Sequence, residues 1–158
     1  APLKLAPSRR DVREILAEAW KSLAHLRGGR DASLRQTATV QDACCLVDLL
    51  QLEQVFRNIL ENSLAACSDP VAIDANFTAT AVASEEAIEV SIRDNGPGLS
   101  DDQRENLFQP FYTTKSQGSG LGMAITRRII EAHGGQIAIG APGMPGTEIL
   151  ITLPRGER

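Results

Sequence analysis

Two short glycine-rich segments flank a stretch of the chain that contains three aromatic residues and a lysine. The first runs from Asp94 to Leu99 (DNGPGL), the second runs from Gly118 to Met123 (GSGLGM), and Lys115 lies between them. Glycine adopts positive φ angles and lets another group approach the backbone closely. An acid, a lysine and free amides in such loops can bind a base edge and phosphates, so the pattern predicts a nucleotide site.

Asp94 is the first candidate residue of this site. The alternating stretch 89–93 predicts a strand that delivers Asp94 at its end. A carboxylate in that position can accept a hydrogen bond from an exocyclic amine such as that of adenine. The alternative is a tight turn, because Asp-Asn-Gly is itself good turn sequence. The local sequence by itself leaves both interpretations open.

The second glycine segment does not fit the standard phosphate-binding loops. It lacks the lysine and hydroxyl of a P-loop, and Met123 replaces the third glycine of a dinucleotide-binding loop. A glycine-rich loop that enters a helix at Leu121 would still direct free N–H groups and a helix dipole at a phosphate. Lys115 could pair with a phosphate as well. The alternative for the glycine segment is a flexible loop without a ligand, and the alternative for Lys115 is a solvated loop lysine.

Asn58 and Asn62 are four residues apart on a predicted helix and therefore share one of its faces. Asparagines on the half-buried side of an apolar helix need partners. A hydrated Mg²⁺ is a suitable partner, because it takes oxygen ligands and keeps waters alongside substrate phosphates. The alternative is a structural pair that bonds to neighbouring backbone, and that alternative is favoured when the two residues are considered alone.

The composition of the 158-residue chain excludes several other classes of function. A net charge of −4 argues against a dedicated nucleic-acid binder. The three cysteines, Cys44, Cys45 and Cys67, do not form a disulfide framework, and His25 and His133 lie far apart, so a zinc site has almost no support. No apolar run approaches the roughly 20 residues of a membrane span, so we expect no membrane contact by these residues.

The hydrophobic patterns predict the elements that must position these residues. Helices and strands are mixed without regular βαβ alternation, which favours an α/β (α+β) two-layer sandwich with a mixed sheet of about five strands packed against three helices. Ser8 is the expected cap of the first helix, and Ser84-Glu85 is the expected turn of a hairpin. The predicted helices are 8–26, 49–66, 101–107 and 121–132, and the predicted strands are 34–39, 43–47, 71–83, 86–93, 136–140 and 147–153.

Taken together, the motifs resemble those of the ATP-binding catalytic domain of two-component sensor histidine kinases. This domain is one branch of the GHKL family, which also holds gyrase, Hsp90 and MutL ATPases. The chain's Phe-Tyr-Thr-Thr-Lys sequence resembles the nitrogen- and oxygen-sensing subgroup of these kinases. Residues 54–63 (QVFRNILENS) resemble the asparagine box, 94–98 (DNGPG) the first glycine box, 108–115 (FQPFYTTK) the phenylalanine box, and 118–123 (GSGLGM) the second glycine box.

The resemblance covers roughly residues 8–154, so residues 1–7 are expected to be a linker remnant and residues 155–158 a C-terminal tail. It implies a Bergerat-type fold that binds ATP and Mg²⁺ beneath a flexible lid at roughly residues 111–120. The residues expected to bind ATP are Asn58, Asn62, Asp94, Gly96, Gly98, Phe111, Tyr112, Lys115, Gly118, Ser119, Gly120, Leu121, Gly122 and Thr147.

The same resemblance implies a role for each group. Asp94 would recognise the adenine amine, Gly98 would shape the pocket floor, and Thr147 would join the water network beside the base. The metal ligand would be Asn62, with Asn58 beside it. Phosphate would be bound by Lys115 and by the amides of Gly120 to Gly122. The expected catalytic residues are Asn58, Glu61 and Lys115.

One position separates a kinase from an ATPase within this resemblance. The hydrolytic relatives carry a glutamate four residues before the magnesium asparagine, and this chain has Asn58 there. An amide cannot activate water as a base at neutral pH, so we expect poor ATP hydrolysis. Glu61 is a possible polarising group. The alternatives to a kinase domain are a GHKL-type ATPase and a nucleotide-gated binding module.

The phosphoryl acceptor is expected outside these residues. Neither His25 nor His133 has the sequence context of the family's acceptor histidine, which lies in a dimerisation helix pair. The expected partner is therefore a dimerisation and phosphoacceptor domain of the same protein, with a response regulator as an indirect partner. We expect a cytoplasmic domain, either of a soluble protein or of a membrane-anchored sensor, that does not phosphorylate itself.

Overall fold

A computed structural model describes residues 3–112 and 121–156 of the chain. Strands and helices alternate irregularly along these residues, as the sequence predicts. The strands are β1 (Ser8–Asp11), β2 (Ala32–Ala38), β3 (Cys44–Val47), β4 (Val71–Val82), β5 (Glu85–Arg93), β6 (Gln136–Ile139) and β7 (Glu148–Pro154). The helices are α1 (Val12–Ser22), α2 (Ala24–Arg27), α3 (Leu49–Ala66), α4 (Asp101–Asn106) and α5 (Gly122–Ala132).

A mixed five-stranded sheet forms one layer of a two-layer α/β sandwich, which confirms the predicted fold class. Its strand order is β2-β4-β5-β7-β6, with β2 and β4 parallel and the other neighbours antiparallel. The β4–β5 turn lies at Ala83-Ser84, one residue before the predicted turn. The φ angles of Ala83 and Ser84 are 49° and 68°. Two successive positive φ angles match the twist of a two-residue hairpin.

Helix α3 has the bounds that the sequence predicts. The Asp48 carboxylate caps it by accepting the Gln51 N–H at 3.0 Å, which satisfies a backbone donor that no helical carbonyl can reach. The residues of its apolar face, Leu52, Val55, Phe56, Ile59 and Leu60, are all buried. Because apolar residues at this spacing form one packed face, packing also fixes the half-buried flank on which the asparagines lie.

The first predicted helix is wrong at both of its ends. Ser8–Asp11 forms β1, which pairs antiparallel with β3, so the backbone at Ser8 already belongs to a strand. Asp11 caps α1 instead, accepting the Arg13 N–H at 2.9 Å. The helix stops at Ser22, and Leu26, the predicted last residue of this helix, lies in α2 and is 42% exposed. This non-local pairing also separates β2 and β3 into different sheets.

The hydrophobic core lies between the sheet and helices α1, α3 and α5. Phe56 and Phe77 are its largest fully buried side chains, and the remainder is mainly leucine, isoleucine and valine, as the low aromatic content requires. Leu3 packs against this core, and Arg155 is only 8% exposed while its carbonyl accepts the Leu46 N–H. Within the described ranges, no helix is both long and apolar enough to span a membrane.

Candidate functional site

Asp94 follows the last residue of β5 and is only 8% exposed. Its Oδ1 accepts the backbone N–H groups of Gly96 at 3.0 Å and Thr147 at 3.1 Å. Its Oδ2 accepts the hydroxyl of Ser63 at 2.8 Å. A carboxylate offers about four acceptor positions, so Oδ2 keeps capacity for a further donor. The strand end therefore holds a fixed, buried acceptor suited to an N–H group of a ligand.

Two loops meet backbone against backbone at this carboxylate. Gly146 has a φ of 75°, and a Cβ placed on it would lie 1.9 Å from the Asp94 carbonyl oxygen. Gly98 has a φ of 81°, and its Cβ would lie 3.3 Å from the Gly146 carbonyl oxygen. Only glycine combines this conformation with so close an approach. The structure therefore brings the predicted residues Asp94, Gly98 and Thr147 together.

The C-terminal end of α3 closes the site from the helix layer. Ser63 and Cys67 are four residues apart, are 6% and 5% exposed, and both approach Asp94. A Cβ on Gly96 would lie 2.9 Å from the Cys67 sulfur. Burial, followed by the nearby Asp94 carboxylate, raises the pKa of the Cys67 thiol to about 11. The thiol is therefore neutral at physiological pH.

Sequence reasoning missed both of these residues as parts of the site. Ser63 belongs to the asparagine-box segment, but its partner Asp94 is 31 residues away. The available signal is spacing: Ser63 occupies the apolar face of α3, where a hydroxyl needs a partner. The sequence predicts only a buried thiol at Cys67, because its contact with the Asp94 turn forms only in the folded protein.

Polar side chains also anchor the Asp94 turn to the neighbouring segments. The Asn95 amide donates to the Pro70 carbonyl at 2.9 Å and accepts a backbone N–H at the start of β4 at 3.0 Å. Arg30 donates to the Cys67 carbonyl at 2.9 Å and to Asp69 Oδ1 at 2.8 Å. These bonds fix the end of α3 relative to the turn.

Asn58 joins α3 to the first turn of α5. Its Nδ2 donates to the Gly122 carbonyl at 3.0 Å and lies 3.2 Å from the Thr126 hydroxyl oxygen. Its Oδ1 accepts the Gln54 amide at 2.7 Å, and the fully buried Thr126 also donates to the Gly122 carbonyl. The asparagine thus uses its amide to hold the helix end at which phosphate binding is predicted.

The metal-binding prediction rests on neutral oxygen donors. Asn62 lies one turn beyond Asn58 on the same flank of α3 and is half-buried, whereas Glu61 is exposed. Within residues 3–112 and 121–156, no group of three or more histidine, cysteine or acidic side chains could hold a metal ion. Amide oxygens fit Mg²⁺ when phosphate and water supply the other ligands. The donor set therefore fits a cation that arrives with a nucleotide.

The region of the predicted lid is described only at its edges. Phe111 has a φ of 67° and is 75% exposed, and the Tyr112 hydroxyl donates to Asp102 at 3.1 Å. Leu121 is the N-cap residue of α5, and Gly122 is the first residue of the helix. The predicted ATP-binding residues Lys115, Gly118, Ser119 and Gly120 lie outside the described residues.

These features can be set against known families. The sequence profile of the histidine kinase-, DNA gyrase B- and HSP90-like ATPases matches residues 47–157 of the chain. The chain belongs to this family. The match begins at the N-terminus of α3 and extends through β7, so it includes Asp94 and both glycine segments. The predicted family is confirmed.

The relatives of the chain in this ATPase family include sensor proteins. The sensor protein FixL of Bradyrhizobium diazoefficiens is 36% identical over 134 residues, which cover 84% of this chain and 26% of FixL. The chain thus spans about a quarter of the length of this relative. It is homologous to sensor histidine kinases over the part that contains the candidate site.

Solved structures of histidine kinases share the fold. The nucleotide-free catalytic domain of histidine kinase ThkA has a TM-score of 0.83 at 24% identity, covering 96% of this chain and 97% of that domain. ThkA in complex with the response regulator protein TrrA has a TM-score of 0.77 at 21% identity, covering 94% of this chain and 42% of that one. At these identities the likeness concerns the fold.

Proposed function

We propose that this chain binds ATP with Mg²⁺ and donates the γ-phosphoryl group to a histidine on a separate helical dimerisation domain. The observation that carries the proposal is the Asp94 carboxylate, which is buried at a strand end and fixed by three hydrogen bonds. It occurs in a chain of the histidine kinase-like ATPase family. Adenine offers the amine that such an acceptor can bind.

Each end of the nucleotide would have its own group of residues. Asp94, Thr147 and the glycines of their loops would bind the base. Asn62 would hold Mg²⁺, which neutralises charge on the phosphates. The phosphates would lie at the N-terminus of α5, which begins at Gly122 and where the helix dipole favours anions. Residues 111–120, including Lys115, would act as the lid.

Transfer to a histidine is favoured over transfer to water. Asn58 occupies the position of the hydrolytic base, and its amide is already bonded to Gln54 and Gly122. Glu61 is exposed, so solvent screens any polarising effect of its carboxylate. We therefore propose a kinase domain with slow ATP hydrolysis. A response regulator would act downstream, as TrrA is found with ThkA, and the domain would work in the cytoplasm.

Titration calorimetry with a non-hydrolysable ATP analogue, with and without Mg²⁺, tests the binding step. We expect binding that strengthens with Mg²⁺ and is lost in Asp94→Asn, because an amide at that position presents a donor towards the amine. A chain that binds nothing, or an Asp94→Asn variant that binds normally, would contradict the proposal.

Incubation of the chain with γ-labelled ATP tests the acceptor. The only two histidines are His25 and His133. Both ring nitrogens of His133 are engaged: Nε2 accepts the Asp48 N–H at 3.0 Å, and Nδ1 lies 2.8 Å from the Ile129 carbonyl oxygen. We expect no acid-labile label on this chain, and its appearance would place the acceptor within these residues after all.

A further inference from the structure

We infer that Ser63 is a positioning residue that sets the purine selectivity of the site by fixing the Asp94 carboxylate. The inference rests on the proposed nucleotide binding and adds to it a residue that determines which base is accepted. The expected ligand is a purine nucleotide that carries an amine at position 6 of the ring, as adenine does. Purines that carry an oxo group there would bind more weakly.

The first step is the orientation of Asp94. Without Ser63, Oδ1 would still be held by the N–H groups of Gly96 and Thr147, but Oδ2 would lose its 2.8 Å bond to the hydroxyl. The hydroxyl is buried, with Ser63 only 6% exposed, so water cannot easily replace it. Ser63 therefore decides where the remaining acceptor position of Oδ2 points.

The C-terminal end of α3, which carries the Ser63 donor, is held rigidly against the Asp94 turn. Cys67 lies one helical turn beyond Ser63 and packs beneath Gly96, where an added Cβ would come within 2.9 Å of its sulfur. Arg30 holds the Cys67 carbonyl at 2.9 Å. The end of α3 and the Asp94 turn therefore form one packed unit, and Ser63 cannot drift away from the carboxylate.

The third step links geometry to selectivity. A carboxylate accepts hydrogen bonds and cannot donate them, so it attracts an amino group and repels a carbonyl oxygen at the same place. The discrimination depends on the direction of the acceptor, because hydrogen bonds weaken steeply when they are misaligned. Loosening the carboxylate should therefore weaken adenine binding more than binding of a base that never made the bond.

The test compares ADP with inosine diphosphate, which carries an oxo group in place of the amine, by calorimetry on the whole chain. In Ser63→Ala we expect ADP affinity to fall about tenfold while inosine diphosphate affinity changes little, so the selectivity ratio falls about tenfold. Ser63→Cys keeps a weak donor of similar size and should give an intermediate ratio.

Ser91→Ala is the matched control. Ser91 lies in β5, and its hydroxyl donates to the Glu148 carboxylate at 2.6 Å, so it makes the same kind of bond away from the Asp94 carboxylate. Both alanine variants should lose some stability in urea unfolding, but only Ser63→Ala should change the selectivity ratio. A merely structural role for Ser63 would leave the ratio unchanged.

The outcomes separate the inference from the proposed function. An unchanged ratio in Ser63→Ala, or an equal change in Ser91→Ala, would overturn the inference while nucleotide binding stands. Equal affinity of the unaltered chain for both diphosphates would overturn it as well. Failure of the unaltered chain to bind either diphosphate would remove the proposed function and this inference together.

Discussion

The C-terminal end and the middle of α3 support the candidate site in different ways. At its C-terminal end, Ser63 and Cys67 converge with backbone amides on one buried carboxylate, Asp94. Nearer its middle, Asn58 makes neutral amide bonds that tie α3 to α5 through Gly122. The first region, the base end, is organised around a charge. The second, the α3–α5 junction, is a link between helices that carries no charge.

This difference indicates that the two regions respond differently to nucleotide binding. A buried carboxylate that loses a donor is costly, so the base end has little freedom to rearrange. Neutral amide bonds at the junction are worth less individually and can exchange for ligand or water bonds. We therefore expect the base end to be formed before nucleotide binds, and the junction to change when phosphates arrive.

Gly146→Ala should have the largest effect, because its Cβ would lie 1.9 Å from the Asp94 carbonyl oxygen. The backbone must move, which displaces Thr147 and the carboxylate it binds. We expect a loss of about 2 to 4 kcal/mol of unfolding free energy beyond that of the control, and loss of nucleotide binding.

Gly143→Ala is the control for that change. Gly143 lies in the same loop with a φ of 93°, but nothing lies within 4 Å of an added Cβ. It should cost only the conformational strain, about 1 to 2 kcal/mol. Urea unfolding compares the two variants, and equal losses would show that the loops at the base end are not tightly packed.

Asn58→Ala should have an intermediate effect that is confined to the junction. It removes the bonds from Nδ2 to Gly122 and Thr126, and we expect a loss of about 1 to 2 kcal/mol of unfolding free energy. Nucleotide affinity should fall through the phosphates, with the ratio of ADP to inosine diphosphate affinity unchanged.

Asn76→Ala makes the same substitution where the amide accepts one exposed bond, from Thr37 at 3.1 Å. This control should change the unfolding free energy by less than about 0.5 kcal/mol. If Asn58→Ala behaves like it, the amide bonds at the junction contribute nothing measurable. If Asn58→Ala alters the purine selectivity, the two regions are not separate.

Asp48→Asn should have the smallest effect, and the effect should depend on pH. The N–H groups of Ala6 and Gln51 hold the pKa of the Asp48 carboxyl below its ordinary value of 3.8. Because the folded-state pKa is lowered, the charged form stabilises the fold above pH 3.8, and this contribution is lost as pH falls through the folded pKa.

Asparagine is also a good N-cap, so the substitution removes mainly the charge. We expect a loss of about 1 kcal/mol at pH 6 that shrinks as the pH falls below 3.8, measured by urea unfolding of both proteins at each pH. A difference that does not shrink below pH 3.8 would show that the charge of Asp48 contributes nothing.

The parts of the fold that local patterns determine were predicted from the sequence. The bounds of α3 follow from the Asp48 cap and a regular apolar face, and the end of β5 follows from alternation up to Asp94. The error at Ser8 has a different cause. Four residues become a strand only because β3, more than thirty residues away, offers its backbone, and no local signal reports that pairing.

The site follows the same rule. Asp94, Gly98 and Thr147 were predicted through family motifs, and the structure brings them together. Ser63 was not predicted as a partner of Asp94, because the bond depends on how α3 packs onto the sheet. Asn58 was predicted to bind ATP beside the metal ligand Asn62, and its amide bond to Gly122 is a contact between helices that the motif does not report.

The most direct test of the account is a residue-resolved ¹H–¹⁵N NMR titration of the chain with an ATP analogue and Mg²⁺, repeated with adenosine alone. The account predicts that adenosine shifts the amides of Gly96, Gly98 and Thr147, and that only the triphosphate also shifts Leu121 and Gly122. Shifts clustered elsewhere, for example at the surface depression lined by Leu50, Gln54 and Arg57, would contradict it. So would an absence of shifts at the Asp94 turn.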